Sequence, residues 1–192
     1  MKLWMIRHGE SETNRLKQWT GWLDAPLTEK GAEDAALARD VIAGVKFDKI
    51  YASDLSRARR TAEIAIPGCE YEVSELLREI NVGNIAGKEL GVVKRNTPDA
   101  AFHDGYVAYG GESVAEFRER IGKFISLVEK ENFENVVAFT HGGLIRNFLE
   151  MVMGVKLPRK NLCCKNCMVA VFEYSDSTWK LHSWINLDGS KK

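Results

Sequence analysis

The chain has 192 residues, of which 45% are hydrophobic and 28% charged, so its composition fits one globular domain and argues against disorder. Basic and acidic residues balance at 27 each, and this zero net charge argues against nucleic acid or a membrane surface as the main partner. The apolar N-terminal stretch is short, there is no signal peptide, and no run approaches the length of a membrane span, which together predict a cytoplasmic protein.

The first half of the chain alternates short apolar runs with helical patterns, which is typical of an α/β fold. Residues 3–6 and 47–52 are predicted to be buried strands, and residues 70–74 a shorter one. Thr28 is predicted to cap a helix that ends near residue 44. A second helix follows the 47–52 strand, with Ser53 or Asp54 as its cap and Pro67 and Gly68 as its stop.

The second half opens with residues 80–111, which are rich in glycine and are predicted to form a small cap with at most short helices. Glu112 is expected to open a long amphipathic helix. Residues 135–140 form an apolar strand, followed by a helix through residue 153, and residues 168–174 and 179–184 alternate like an antiparallel pair. We expect a single domain over residues 1–192, with an apolar final edge that would permit a homodimer.

Cationic and imidazole side chains follow the predicted strands at the points where those strands end. Arg7 and His8 follow the first strand, Arg57 lies one turn into the helix after the second, and His141 follows the strand over 135–140. Ligands of parallel α/β sheets gather outside the carboxyl ends of the strands. Guanidinium forks match phosphate oxygens, and a glycine after each histidine lets backbone N–H groups approach an anion. This pattern predicts a phosphate site.

The same residues favour phosphoryl transfer without a metal ion. The chain has no Walker loop and no carboxylate cluster of the kind that holds Mg²⁺. The arginines would supply the positive charge, and an imidazole kept neutral by neighbouring cations would be the nucleophile. One of the two histidines, His8 or His141, would have that role, and we expect neither a metal nor a cofactor.

Three of the four cysteines, Cys163, Cys164 and Cys167, lie within five positions. The C-x-x-C spacing of the last two suggests a zinc site, but a structural zinc site needs four ligands and no second C-x-x-C pair exists. Small buried thiols at the start of a strand are the favoured interpretation.

Six blocks of the sequence resemble, in order and spacing, those of the histidine phosphatase superfamily, the group that contains cofactor-dependent phosphoglycerate mutase. The blocks are Met5-Ile6-Arg7-His8-Gly9-Glu10-Ser11 with Asn14, Gly21-Trp22-Leu23-Asp24-Ala25-Pro26-Leu27-Thr28 with Gly31, Ala52-Ser53-Asp54-Leu55-Ser56-Arg57-Ala58, Leu77-Arg78-Glu79-Ile80-Asn81-Val82-Gly83, Gly110-Gly111-Glu112-Ser113 and Thr140-His141-Gly142-Gly143-Leu144-Ile145-Arg146. The resemblance covers nearly the whole chain and implies a three-layer α/β/α sandwich with a mostly parallel central sheet.

The resemblance also implies a role for each site residue. His8 would form a phosphohistidine, Glu79 would protonate the leaving oxygen and then activate water, and further residues would line the pocket. The catalytic set is His8, Glu79, Arg7, Arg57 and His141, and the substrate-binding set is Arg7, Asn14, Thr20, Gly21, Arg57, His141 and Gly142. Ordinary alternatives exist for two of them, because Arg57 lies among other arginines on a basic stretch and Glu79 adjoins Arg78 as in a surface ion pair. Trp19 and Trp22 either pack the loop around Gly21 or contact substrate.

Two features separate this chain from the mutases of the family. Only about thirty residues lie between Glu79 and Glu112, and the family's Gly-Asp-Trp-Glu-Gly after the acid is here Gly-Asn-Ile-Ala-Gly at residues 83–87. A short cap favours a phosphatase acting on small phosphomonoesters, because an open pocket admits water. A phosphoglycerate mutase and a catalytically silent phospholigand-binding protein are the alternatives, although silent members would be expected to lose the catalytic residues, and none is lost here.

Overall fold

The computed structural model describes residues 1–96, 104–158 and 161–187. The strands are β1 (Lys2–Arg7), β2 (Lys49–Ala52), β3 (Glu72–Val73), β4 (Asn135–Thr140), β5 (Val169–Ser175) and β6 (Thr178–Ile185). The helices are α1 (Glu12–Arg15), α2 (Glu29–Ile42), α3 (Ser56–Ala65), α4 (Leu90–Asn96), α5 (Val114–Glu129) and α6 (Gly142–Met153), with 3₁₀ turns at Glu75–Leu77, Gly83–Ile85 and Val107–Tyr109.

The six strands form one sheet in the order β3-β2-β4-β1-β5-β6. The first four in that order run parallel to one another, while β5 pairs antiparallel with both β1 and β6. The mostly parallel sheet and the closing antiparallel pair are therefore confirmed. Arg7 pairs in register with Thr140, and Ala52 with Phe139, so β1, β2 and β4 end side by side at one edge of the sheet.

Both faces of the sheet are covered, as alternate residues of β4 demonstrate. Val136 and Ala138 pack with the apolar side chains of α5 and α6, whereas Val137 and Phe139 pack with those of α2 and α3. Because side chains alternate between the faces of a strand, two helix pairs on opposite faces produce three layers. The predicted α/β/α sandwich is confirmed.

The predicted cap of α3 is wrong. Leu55 occupies the N-cap position and makes no side-chain capping bond. The hydroxyl of Ser53 instead contacts the ring of His141 at 3.0 Å, and the carboxylate of Asp54 accepts from the guanidinium of Arg78. Both side chains are thus engaged with residues outside the helix.

The long helix α5 begins two residues after the predicted position. Ser113 is its N-cap and forms a capping box with Glu116, because the hydroxyl accepts from the backbone of Glu116 and the carboxylate reaches back to the backbone of Ser113. Glu112 lies outside the helix, where it forms an ion pair with Arg120. Strand β2 also begins later than predicted, at Lys49 rather than at residue 47.

The described part of residues 80–111 contains one short helix, α4, and two 3₁₀ turns, so the expectation of at most short helices holds for that part. Val82, Ile85, Val93 and Tyr106 form a small buried cluster of their own beside the main core. Residues 97–103 of the predicted cap lie outside the described residues. Within the described ranges, no helix combines the length and the apolar character that a membrane crossing requires.

Candidate active site

His8 lies at the carboxyl end of β1, and its backbone N–H donates to the carbonyl of Thr140 at the end of β4 (2.9 Å). Only 4% of His8 is exposed. Gly9 follows where the chain runs close to α2, since a Cβ on Gly9 would stand 2.2 Å from the carbonyl oxygen of Gly31. The turn after β1 therefore requires glycine at position 9, and it holds the imidazole against the end of the sheet.

The hydrogen bonds of His8 identify its tautomer. Nδ1 lies 2.6 Å from the carbonyl oxygen of Gly9, which can only accept, so Nδ1 carries the proton. Nε2 lies 3.3 Å from Nε of Arg57, which can only donate, so Nε2 presents its lone pair. The contact between the two side chains is long for a hydrogen bond, so that lone pair is only weakly engaged.

Arg57 is fully buried in the first turn of α3. Its two terminal nitrogens donate to the carbonyls of Leu23 (2.9 Å) and Gly21 (2.8 Å), which fixes the guanidinium plane beside His8. Burial lowers the pKa of Arg57 to about 10, so the group remains cationic at neutral pH. Its neighbour Arg60, by contrast, is on the surface and pairs with Glu63.

His141 lies one residue beyond β4 and is also fully buried. Its ring centroid is 5.1 Å from that of His8. Nε2 of His141 contacts the hydroxyl of Ser53 at 3.0 Å, whereas its buried Nδ1 has no hydrogen-bond partner among the described residues. The strand ends of β1, β2 and β4 thus bring both histidines and Arg57 to one place, as predicted.

Arg7 completes the group of cations. Its guanidinium donates to the carbonyl of Cys164, and a Cβ on Gly142 would lie 3.2 Å from its Nε. In the described part of the chain, no carboxylate lies within salt-bridge distance of Arg7 or of Arg57. Two guanidinium groups therefore face the imidazoles without an acidic partner.

Both histidines are held neutral. Burial lowers the pKa of His8 well below its ordinary value, and the positive charges of Arg57 and Arg7 lower it further. The pKa of His141 is lowered well below its ordinary value by the same causes, with burial again the largest. The neighbouring cations thus act on both histidines in the expected direction, although burial contributes more than charge.

Glu79 lies opposite this group, against the first turn of α6. Oε2 of Glu79 accepts from the backbone N–H of Gly143 (2.9 Å), and Oε1 accepts from that of Ile80 (2.9 Å). The positive N-terminal end of α6 therefore faces a carboxylate of the chain itself at Gly143. Arg78 pairs with Asp54 and Glu75, so the alternative of a surface ion pair between Arg78 and Glu79 is not observed.

A cavity of about 620 Å³ opens beside these residues. Its lining includes Arg7, Glu79, Gly142, Gly143 and Cys164. The other lining residues are Gln18, Trp19, Thr20, Gly21, Ile80, Val82, Leu90, Tyr106, Val114, Arg118, Arg146, Asn147, Glu150, Val155, Lys156 and Leu157.

Among the predicted substrate-binding residues, Arg7, Thr20, Gly21 and Gly142 line this cavity, whereas Asn14, Arg57 and His141 do not, and His8 is also absent from the lining. The amide oxygen of Asn14 accepts from the backbone of Ser11 (3.3 Å) and from Asn166 (3.1 Å). Sequence reasoning missed Asn166, whose amide nitrogen also lies 3.1 Å from the carbonyl of His8. The sequence feature that could have drawn attention to Asn166 is its position between Cys164 and Cys167.

The three clustered cysteines are free. Cys163 is exposed, Cys164 is half-buried beside Arg7, and Cys167 is buried, which raises its thiol pKa to about 12. Burial also raises the pKa of Cys164. Across the described ranges, no group of three or more histidine, cysteine, aspartate or glutamate side chains is arranged to hold a metal ion.

Comparison with known proteins identifies relatives over almost the full chain. The model of the histidine phosphatase superfamily (branch 1) matches residues 3–187. A curated relative, "Probable phosphoglycerate mutase GpmB" of Salmonella choleraesuis (strain SC-B67), is 26% identical over an alignment of 195 positions that covers 96% of this chain and 90% of the relative.

Solved structures share the fold over the same extent. The structure of Bacillus stearothermophilus YhfR has a TM-score of 0.84 and 28% identity, covering 94% of this chain and 95% of that one. The alpha-ribazole phosphatase of Shigella flexneri has a TM-score of 0.83 over 98% of this chain and 100% of its own. At 22% identity, the latter likeness concerns the fold alone.

Proposed function

The chain belongs to the histidine phosphatase superfamily, and on that premise we propose that it is a phosphatase that hydrolyses small phosphomonoesters through a phosphohistidine at His8. The observation that carries the proposal is the pairing of a neutral imidazole with two guanidinium groups that have no acidic partner within the described residues. No carboxylate of the described residues is in direct contact with these groups, although the charges of Glu79, Asp24 and Asp54 favour the cationic form of Arg57 from farther away, and a bound phosphoryl group would supply a negative charge in direct contact.

The first half of the proposed reaction transfers the phosphoryl group to the enzyme. The lone pair on Nε2 of His8 attacks phosphorus, and the ester P–O bond breaks with its electron pair passing to the leaving oxygen. Glu79 donates a proton to that oxygen, so the alcohol departs neutral. Arg7, Arg57 and His141 hold the phosphoryl oxygens and stabilise their charge in the transition state. Nδ1–H of His8 keeps its bond to the Gly9 carbonyl, which stabilises the positive ring of the intermediate.

The second half releases phosphate. The Glu79 carboxylate takes a proton from a water molecule as the oxygen of that water attacks phosphorus. The N–P bond breaks and its electron pair returns to Nε2, which restores neutral His8, protonated Glu79 and free inorganic phosphate. Access of water favours hydrolysis over return of the phosphoryl group, and the exposed residues Val155 and Lys156 in the cavity lining support that access.

Phosphoglycerate mutase activity is the second candidate. The name of the Salmonella relative supports it, and so do three basic side chains in the cavity lining, Arg118, Arg146 and Lys156, which are suited to a substrate carboxylate. Glu150 offsets part of that charge through its ion pair with Arg118 (2.6 Å). The short cap remains the reason to prefer hydrolysis.

Phosphate release from 4-nitrophenyl phosphate, measured with a chelator present, tests the proposal. We expect turnover that the chelator leaves unchanged, and an acid-labile, base-stable phosphoryl adduct on His8 in rapidly quenched protein. Incubation with phosphoglycerates should yield inorganic phosphate. Transfer between phosphoglycerates without net phosphate release would favour the mutase, and no turnover of any phosphomonoester would exclude both enzymes.

A further inference from the structure

One side chain of α5 forms hydrogen bonds with the backbone around Glu79. Arg120 of that helix directs its guanidinium at the segment 76–79 and at Glu112. Nη1 donates to the carbonyls of Leu76 (3.0 Å) and Arg78 (2.8 Å), and Nη2 donates to the carbonyl of Glu79 itself (3.1 Å). An arginine this close to the general acid thus contacts its backbone rather than its carboxylate.

The guanidinium of Arg120 has every N–H group engaged. Nε and Nη2 form a two-pronged ion pair with Glu112, at 3.0 and 2.9 Å, and both side chains are largely buried, at 13% and 14% exposed. These two bonds and the contacts with backbone carbonyls, which include a longer one from Nη1 to the carbonyl of Glu75 (3.4 Å), engage all five donors that an arginine carries. Lysine has three donors and no planar fork, so it would leave part of this set unpaired.

Glu112 connects Arg120 to the segment that follows Glu79 in the chain. Its carboxylate also accepts from the backbone N–H of Asn81 (2.7 Å), and its own N–H donates to the carbonyl of Asn81 (2.9 Å). The ion pair therefore holds residues on both sides of Glu79 at once.

Trp22 donates to the same carbonyl as Arg120. Its indole Nε1–H donates to the carbonyl of Glu79 at 2.7 Å, from the loop that follows Gly21. Arg78 stacks on the indole ring at 4.6 Å, and Arg120 lies 6.0 Å from its centroid. Trp22 is about one-third exposed and is absent from the cavity lining, so packing of the loop around Glu79 describes it better than contact with substrate.

We propose that Trp22, Glu112 and Arg120, which we call the Arg120 clamp, are positioning residues that set the carboxylate of Glu79 for proton transfer to the leaving oxygen. The inference rests on the proposed function, because it assumes that Glu79 is the general acid. A general acid contributes about 10²- to 10⁴-fold to a rate, and displacement by about 1 Å can remove about 10²-fold of such a contribution. None of the three residues lines the cavity, so we expect the effect of the clamp to pass through Glu79.

The test compares a poor leaving group with a good one. The readout is the ratio of kcat/KM for an alkyl phosphomonoester to that for 4-nitrophenyl phosphate, whose leaving group needs little protonation. The variants are Glu79→Gln, Arg120→Lys, Glu112→Gln and Trp22→Phe, the last of which keeps an aromatic ring and removes only the N–H donor. Lys123→Gln is the matched control, because Lys123 lies on the same helix and pairs at the surface with Glu119.

We expect Arg120→Lys and Glu112→Gln to lower the ratio at least about tenfold, in the direction of Glu79→Gln, and Trp22→Phe to lower it less. Lys123→Gln should leave the ratio unchanged. Combining Arg120→Lys with Glu79→Gln should lower the ratio no further than Glu79→Gln alone, since both act on one proton transfer.

The possible outcomes separate the inference from the function on which it rests. If Glu79→Gln lowers the ratio and the folded clamp variants do not, the clamp is overturned while the phosphatase mechanism stands. Equal losses on both substrates in the clamp variants would indicate a purely structural role and would also overturn it. If Glu79→Gln itself leaves the ratio unchanged, Glu79 is not the acid and both fail. Trp22→Phe changes a residue that is about one-third exposed, so it tests the clamp even where the Arg120 variant does not fold.

Discussion

The inner pocket and the outer cavity are built from different parts of the fold. The inner pocket consists of Arg7, His8, Arg57 and His141, three of which are at most 4% exposed. The outer cavity, defined by Trp19, Tyr106, Arg118, Arg146 and Lys156, takes its walls from loops, from residues 80–111 and from helix surfaces. The ends of adjacent strands position the residues of the inner pocket, whereas peripheral segments form the outer cavity. We infer that the chemistry is set by the sheet and substrate choice by the periphery.

Replacement of the nucleophile is the most severe way to probe the inner pocket. His8→Ala should lower kcat by at least ~10⁴-fold on every phosphomonoester, because it removes the atom that accepts the phosphoryl group. Initial rates on a panel of esters, with a urea midpoint to confirm folding, measure the effect. His182→Ala is the matched control, since His182 is half-exposed on β6 and should leave the rates unchanged. Retention of more than a tenth of the activity by His8→Ala would rule out a phosphohistidine at this residue.

Gly143→Ala should displace the proposed acid without unfolding the chain. A Cβ at this position would stand 2.2 Å from Oε1 of Glu79, the far end of a flexible side chain that can move aside. We expect the kcat/KM of alkyl phosphates to fall ~10²-fold and that of 4-nitrophenyl phosphate to fall much less. Gly122→Ala in α5 is the control, because its Cβ would meet only Met151 at 3.9 Å. Equal losses for both esters would contradict the assignment of Glu79.

The inner pocket could be predicted from the sequence because each of its side chains lies close in sequence to a predicted strand or helix. Each side chain follows a short apolar run directly or begins the next helix, and parallel pairing then brings the strand ends together. The contacts of Ser53 and Asn166 could not be predicted in the same way. From the sequence, Ser53 was expected to cap a helix. Its hydroxyl instead contacts the ring of His141, and the sequence did not indicate this contact because the two residues are 88 positions apart. Asn166 contacts His8 across 158 positions, and no periodic pattern indicates such a pair.

The outer cavity was the least predictable region for a related physical reason. Residues 80–111 have little periodic structure, so their positions depend on tertiary packing such as the cluster of Val82, Ile85, Val93 and Tyr106. The ion pair between Arg118 and Glu150 joins α5 to α6, and its presence in the cavity follows from how those two helices pack. Helical periodicity identified the buried face of α5 but not which of its charged residues face the cavity.

The buried histidines should make stability depend on pH. Both have a folded-state pKa well below the ordinary value, while unfolded histidine titrates near 6.5, so below about pH 6.5 the unfolded chain binds protons that the folded chain does not. The free energy of unfolding should therefore fall as pH drops through that window, by up to ~1.4 kcal/mol per pH unit for each histidine.

Urea unfolding at pH 7.5 and 5.5, in buffers without phosphate, measures that dependence. His141→Gln should reduce the pH-dependent loss by about half of the histidine contribution. His182→Ala should not change it, because His182 is largely exposed at the sheet edge. A pH dependence that is the same in His141→Gln as in the parent chain would show that His141 is not held neutral by the fold, and would remove one difference between the inner pocket and the surface.

Substitutions in the outer cavity should have small effects on activity, and only for some substrates. Arg118 donates to Glu150 (2.6 Å) and Asn147 (3.2 Å), so its charge is partly compensated before any substrate binds. A contact of about 0.5–1.5 kcal/mol corresponds to a change in KM of roughly two- to tenfold. We therefore expect Arg118→Gln to raise KM by that factor for esters whose leaving group carries a carboxylate, with kcat unchanged and with no effect on 4-nitrophenyl phosphate. A uniform loss of kcat across the panel would place Arg118 with the catalytic residues instead, and the division between sheet-determined chemistry and peripheral selection would fail at that point.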